Sequence, residues 1–90
     1  MWRSIMEIRD ILNEREKTHG DYRSHAAITQ ALKADMQCQS SWSSLPEHQR
    51  ESLDMIAHKI GRILAGDPDF RDHWADIAGY ATLSADRCTK

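Results

Sequence analysis

Several polar residues in the last fifty positions of this 90-residue chain have spacings that could serve chemistry. Glu51 and Asp54 are three apart, and Asp72 and Asp76 are four apart; on a helix, residues so spaced share a face. His73 stands three before Asp76 and neighbours it in the same way. His58 and Lys59 follow Asp54 by about one turn, and Arg62 by two. Carboxylates at i, i+3 or i, i+4 on facing helices are the usual oxygen ligands of a hard cation such as Mg²⁺. Such an ion neutralises phosphate charge and activates an attacking water, while nearby Lys and Arg hold the remaining phosphates. The same residues admit a plainer reading. If the last two helices are antiparallel, Asp76 approaches Lys59 or Arg62 and forms a salt bridge, which on a surface contributes about 0–1 kcal/mol.

Helical periodicity predicts the elements that must carry these residues. The chain contains no valine and no long apolar/polar alternation, so strands are not expected. A first helix should start at Ser4, whose spacing to Glu7 is that of a capping box, and carry Ile5, Ile8 and Leu12 on one face with Ile11 beside them. It should end near His19-Gly20, where glycine suits a left-handed cap. A second helix, capped by Asp21 or Ser24, carries the stripe Ile28, Leu32 and Met36. The serine-rich stretch 37–44 reads as a loop in which Trp42 covers the core. A third helix should be capped by Ser44, with Pro46 in its first turn and Glu47 completing the box. Its buried stripe is expected to be Leu53, Ile56, Ile60 and Leu64, with Gly66 closing it. The short turn Gly66-Asp67-Pro68-Asp69 makes the third and fourth helices antiparallel neighbours. The fourth helix, from about residue 70 or 72 to 87, carries Trp74, Ile77, Ala81 and Ala85 on one side and Tyr80 and Leu83 on another. That two-sided apolarity places it at the centre of the bundle or of a dimer interface. Gly61 and Gly79, inside helices three and four, should mark close helix approach.

The expected architecture is therefore one all-α domain over residues 1–90, a small antiparallel bundle of about four helices completed by dimerisation. Ninety residues bury only a little over about 60% of the unfolded surface, which favours a homodimer. The composition is 40% hydrophobic and 29% charged with a net charge of −2, and the sequence pI is about 6.2. This disfavours nucleic acid as a partner, since such domains are basic and carry a clustered positive patch. No run of about 18 apolar residues suggests a membrane span, and no signal-peptide core precedes the domain, so a cytoplasmic location is expected. Cys38 and Cys88 lack ligand spacing to any histidine and are expected to be free thiols.

Two resemblances sharpen the functional expectation. The pair Glu51-Ser-Leu-Asp54, followed after residues 55–72 by His73-Trp-Ala-Asp76, resembles the Glu-x-x-Glu and Glu-x-x-Asp signature of the all-α nucleoside triphosphate pyrophosphatases, the MazG-like proteins. Glu51 and Asp76 match it, Asp54 is a conservative replacement, and His73 departs from it. The segments His19-Gly-Asp21, Lys59-Ile-Gly-Arg62 and Asp72-His-Trp-Ala-Asp-Ile-Ala-Gly-Tyr80 resemble small phage and prophage proteins of unassigned function. The resemblance implies Mg²⁺ held by Glu51, Asp54 and Asp76, with Lys59 and Arg62 on phosphate. Asp21, Asp72, His73, Trp74 and Tyr80 would support the site. The implied function is binding or hydrolysis of a nucleoside triphosphate. With His73 in place of an acid, a protein of this kind could bind a nucleotide without cleaving it, and whether it is an enzyme stays open. The alternative is a non-catalytic phage accessory protein that binds a host or phage protein through aromatic anchors such as Trp2, Trp42 or Tyr80.

Overall fold

A computed structural model describes residues 5–90, and these are all-helical as expected. The order is α1 (Ile5–His19), α2 (Tyr22–Gln37), a 3-10 turn (Trp42–Ser44), α3 (Glu47–Ala65) and α4 (Arg71–Ala85). Ser4 and Trp2 lie outside the described residues. No helix among those described is long and apolar enough to cross a membrane.

The first two boundaries follow the local chemistry. Gly20 takes φ 81°, and its N–H donates to the Glu16 carbonyl at 2.8 Å, ending α1 as a left-handed cap does. Asp21 then caps α2, its Oδ2 accepting from the Ser24 N–H at 3.1 Å. The third boundary differs from expectation. Ser44 belongs to the 3-10 turn, where its hydroxyl donates to the Ser41 carbonyl at 2.8 Å. The residue at the N-cap of α3 is Pro46, with no side-chain cap bond. The tight turn uses the serine hydroxyl locally, so it never reaches the first N–H groups of α3.

The centre of the bundle is α3, not α4. α3 packs on α1, α2 and α4, whereas the extensive packing of α4 is on α3 alone. Accordingly α4 turns His73, Ile77, Tyr80 and Ser84 towards the protein and leaves Trp74, Ala81 and Ala85 exposed. The expected stripe on α3 is met in part: Ile56 and Ile60 are half-buried, Leu53 and Leu64 are exposed, and the fully buried positions are Ser52, Ala57, Lys59 and Gly61. Among the described residues, the apolar buried core is Ala57, while His25, Thr29, Ser52, Lys59 and His73 are buried polar groups.

Several of these buried polar groups find partners, although the Thr29 hydroxyl has none. Ser52 and Ser84 hydroxyls lie 2.6 Å apart, joining α3 to α4. His25 donates from Nε2 to the His58 carbonyl at 3.1 Å, joining α2 to α3. Gly61 permits that approach, since a Cβ there would overlap Thr29 Oγ1 and His25 Cδ2. Gly79 behaves differently: a Cβ at that position meets nothing within 4 Å.

Candidate anion-binding site

The ends of four helices converge at the two glycine turns. Gly20 and Gly66 cross so closely that a Cβ on either would strike the other turn's backbone. The Thr18 carbonyl, left free at the end of α1, accepts from the Asp67 N–H at 3.0 Å and from His73 Nε2 at 2.9 Å. His73 is 1% exposed and makes edge contacts with the rings of His19 and Phe70, both at 4.9 Å between centroids. The residue that departs from the acidic signature is thus a strut that ties α4 to the end of α1.

Beside this junction lies a cavity of about 510 Å³. α1 supplies Leu12, Arg15, Glu16 and His19, the turn and α2 supply Asp21, Tyr22 and His25, and α3 supplies His58 and Arg62. His58 and Arg62 both face it because they are one turn apart. The rings of His25 and His58 meet edge to face at 4.5 Å, and Tyr22 stands exposed at the rim with its ring 6.1 Å from that of His25. Arg62 Nε is buried and has no hydrogen-bond partner.

Burial, reinforced by the positive field of Arg62 and Lys59, holds His19 and His58 down to about 4. Burial also pushes His25 down. The charged groups acting on all three rings are cations, so the field in the cavity is positive and the rings are neutral near pH 7. Of the two acids lining the cavity, the Asp21 carboxylate is committed to capping α2, and Glu16 stands beside Arg15 on α1.

The expected metal and phosphate residues fall in three places. Asp76 pairs with Lys59, Oδ2 to Nζ at 2.9 Å, and this hydrogen bond holds the Asp76 carboxyl below its ordinary range. The Lys59 side chain is 10% exposed and that of Asp76 48%, so the pair is half-buried. Glu51 and Asp54 instead line a separate cavity of about 280 Å³ with Trp42, Glu47 and Arg50. Asp54 and Lys59, five residues apart, point about 140° apart around α3. Arg62 alone of the expected phosphate ligands reaches the larger cavity. Among the described residues no group of three or more His, Cys, Asp or Glu is placed to hold a metal. Asp72 and Trp74 are exposed, and Trp74 Nε1 donates to the Pro68 carbonyl at 2.8 Å across the turn. Tyr80 is half-buried, Asp21 is the α2 cap, and Cys38 and Cys88 are free and exposed.

Sequence reasoning missed Arg15, His19, Tyr22, His25 and His58 as a group. The pairing of His58 with Arg62 one turn apart was a readable signal, as were two histidines flanking the Gly20-Asp21 turn. Their convergence was not, because it depends on the crossing of the two glycine turns. No curated protein and no solved structure matches the chain. Residues 5–88 match the profile of a family described as a domain of unknown function, and the chain belongs to that family, DUF6378.

Proposed function

We propose that this protein binds a nucleoside phosphate in the cavity between the α1–α2 turn and the C-terminal half of α3, without metal-dependent cleavage. The observation that carries the reading is Arg62, which lines the cavity and whose buried Nε–H has no partner within the protein. A guanidinium in that state gains most from a phosphate oxygen, through short charge-assisted bonds. Arg15 would bind from the α1 side, and the exposed ring of Tyr22 is placed at the rim to cover a base. The histidines would add N–H donors and take up a proton as the anion cancels the field of Arg62 and Lys59. The MazG-like resemblance supports a nucleotide over other phosphates. No metal step is drawn, because Asp76 already has Lys59 as its cation and Glu51 and Asp54 open into a different cavity.

The test is thermal melting and calorimetry with nucleoside mono-, di- and triphosphates, with and without Mg²⁺. A ligand at about 100 times its dissociation constant adds roughly 2.7 kcal/mol of stability. We expect stabilisation without Mg²⁺, lost in Arg62→Gln and kept in Asp76→Asn. A shift that needs Mg²⁺ and disappears in Asp76→Asn would instead favour a hydrolytic site around Asp76, and pyrophosphate release would be assayed next. No shift with any nucleotide ends the proposal. A second reading, a phage-type accessory protein, rests on the uncovered stripe Ile8, Ile11 and Leu12 of α1. It requires indifference to all nucleotides and loss of a defined protein complex in Ile8→Glu, which lies outside the cavity.

A further inference from the structure

The outward face of α4 is unusual for a helix on the surface of a lone chain. Opposite the inward stripe His73, Ile77, Tyr80 and Ser84 run Arg71, Ala75, Ala78, Gly79, Thr82 and Asp86, all exposed. Between its two ends this face has no charge and almost no side-chain bulk. Gly79 inside a helix costs roughly 1 kcal/mol against alanine, yet a Cβ there meets nothing within 4 Å. The two end charges oppose their own helix: a cation sits at the N-terminus and an anion at the C-terminus, the reverse of what the helix dipole favours.

We propose that a second copy of this chain packs antiparallel on this face, α4 against α4, about a two-fold axis between Ala78 and Gly79. That operator carries residue n to lie opposite residue 157 − n. It sets Ala75 across from Thr82 and Ala78 across from Gly79, so two backbones approach closely. It sets each Arg71 across from Asp86 of the second copy, so the charges that oppose their own helix are paired. The exposed Trp74 and the alanines Ala81 and Ala85 lie on one flank of α4, and the two-fold seats each indole over the small residues of the other copy.

Size supports a partner of this kind. A folded chain of 10.4 kDa is expected to expose about 5,400 Å², and this one exposes 6940 Å². The excess, about 1,500 Å², is spread over α1 and α3 as well as α4, and it leaves room for the roughly 800 Å² per partner of a standard interface. The radius of gyration, 15.5 Å, is likewise above the roughly 12 Å of a compact chain of this length.

The proposal stands apart from nucleotide binding, because no residue on this face lines the cavity. Sedimentation across micromolar to sub-millimolar protein tests it. The wild type is expected at twice the chain mass of 10.4 kDa. Gly79→Glu should raise the dimer dissociation constant by roughly 30-fold or more, with unchanged helix content by circular dichroism. Leu64→Glu, on α3, should remain dimeric. Arg71→Asp and Asp86→Arg should each weaken the dimer, and the double reversal R71D/D86R should recover it. A wild type that sediments as a monomer throughout, a Gly79→Glu variant that stays dimeric, or a double reversal no better than either single one would overturn the proposal.

Discussion

The helix-end junction and the outer face of α4 invert the usual distribution of polarity. At the junction, side chains with ring nitrogens and charges are buried: His25 and His73 are inside, Lys59 is nearly so, and Arg62 Nε has lost contact with water. On α4, Trp74 is 55% exposed and Leu83 50%. The difference shows that burial here follows hydrogen-bonding opportunity as much as hydropathy. The free Thr18 carbonyl at the end of α1 takes His73, the His58 carbonyl within α3 takes His25, and these polar groups are held inside. Where α4 turns outward, none of the described residues covers it, and its apolar side chains stay exposed.

The largest effects should come from the junction. Gly20→Ala forces a left-handed backbone on alanine, about 1–3 kcal/mol, and drives a Cβ into the Ala65 carbonyl. The melting temperature should fall by roughly 10 °C or more, since each kcal/mol is worth about 4–8 °C in a domain this small. His73→Ala should cost about 2–4 kcal/mol in urea denaturation, by opening a cavity and withdrawing a donor from the Thr18 carbonyl. If His73→Ala were nearly neutral, the junction would not be the stable half of the molecule.

Acid should separate the two regions next. In the folded chain His19 and His58 titrate at about 4, against an ordinary value of 6.5, and His25 is also lowered. The unfolded chain therefore binds more protons between those limits, and stability rises with pH there. The histidine contribution is complete above about pH 6.5 and is lost as pH falls towards 4. Urea midpoints at pH 7.5 and pH 5 should differ in that sense, and the difference should shrink in the His58→Gln variant. Bound nucleoside phosphate should narrow this loss, because an anion favours the protonated rings.

The Lys59–Asp76 pair should respond asymmetrically. Asp76→Asn leaves a buried ammonium without its carboxylate and should destabilise, whereas Lys59→Met places an apolar chain of similar length among α3 and α4 and should be close to neutral. Equal losses in both variants would mean that the pair, not the burial of Lys59, governs this contact. The smallest effect compares a true N-cap with a serine that the sequence only suggested as one. Asp21→Ala should cost about 1 kcal/mol, and Ser44→Ala should stay within about 0.5 kcal/mol, because Ser44 bonds its own turn and not α3.

Much of the architecture was legible in the sequence. The absence of valine, the 3.6-residue recurrence of isoleucine and leucine, the Asp21 cap and the glycines at 20 and 66 give four helices with the right order and nearly the right ends. The approach of Asp76 to Lys59 or Arg62 was also readable, because a short turn makes antiparallel neighbours of α3 and α4, and the structure pairs it with Lys59. Which face of each helix is buried was not. The apolar stripes Leu53–Leu64 and Trp74–Ala85 have sound periodicity, yet only Ile56, Ile60 and Ile77 of them turn inward, while Leu53, Leu64, Trp74, Ala81 and Ala85 are exposed.

The candidate site divides in the same way. The sequence alone determined that a cation on α3 meets an acid on α4, and that His73 breaks the acidic signature. Only the tertiary structure decided that Glu51 and Asp54 face away from Asp76, that His73 is a buried strut, and that Arg62 joins three neutral histidines at one cavity. The reason is rotational. Spacing fixes which residues share a face of their own helix, but the angle at which a helix rolls against its neighbours is set by the closest backbone approach. Here that approach occurs at Gly20, Gly61 and Gly66, whose missing side chains let α1, α2 and α3 turn their polar faces inward.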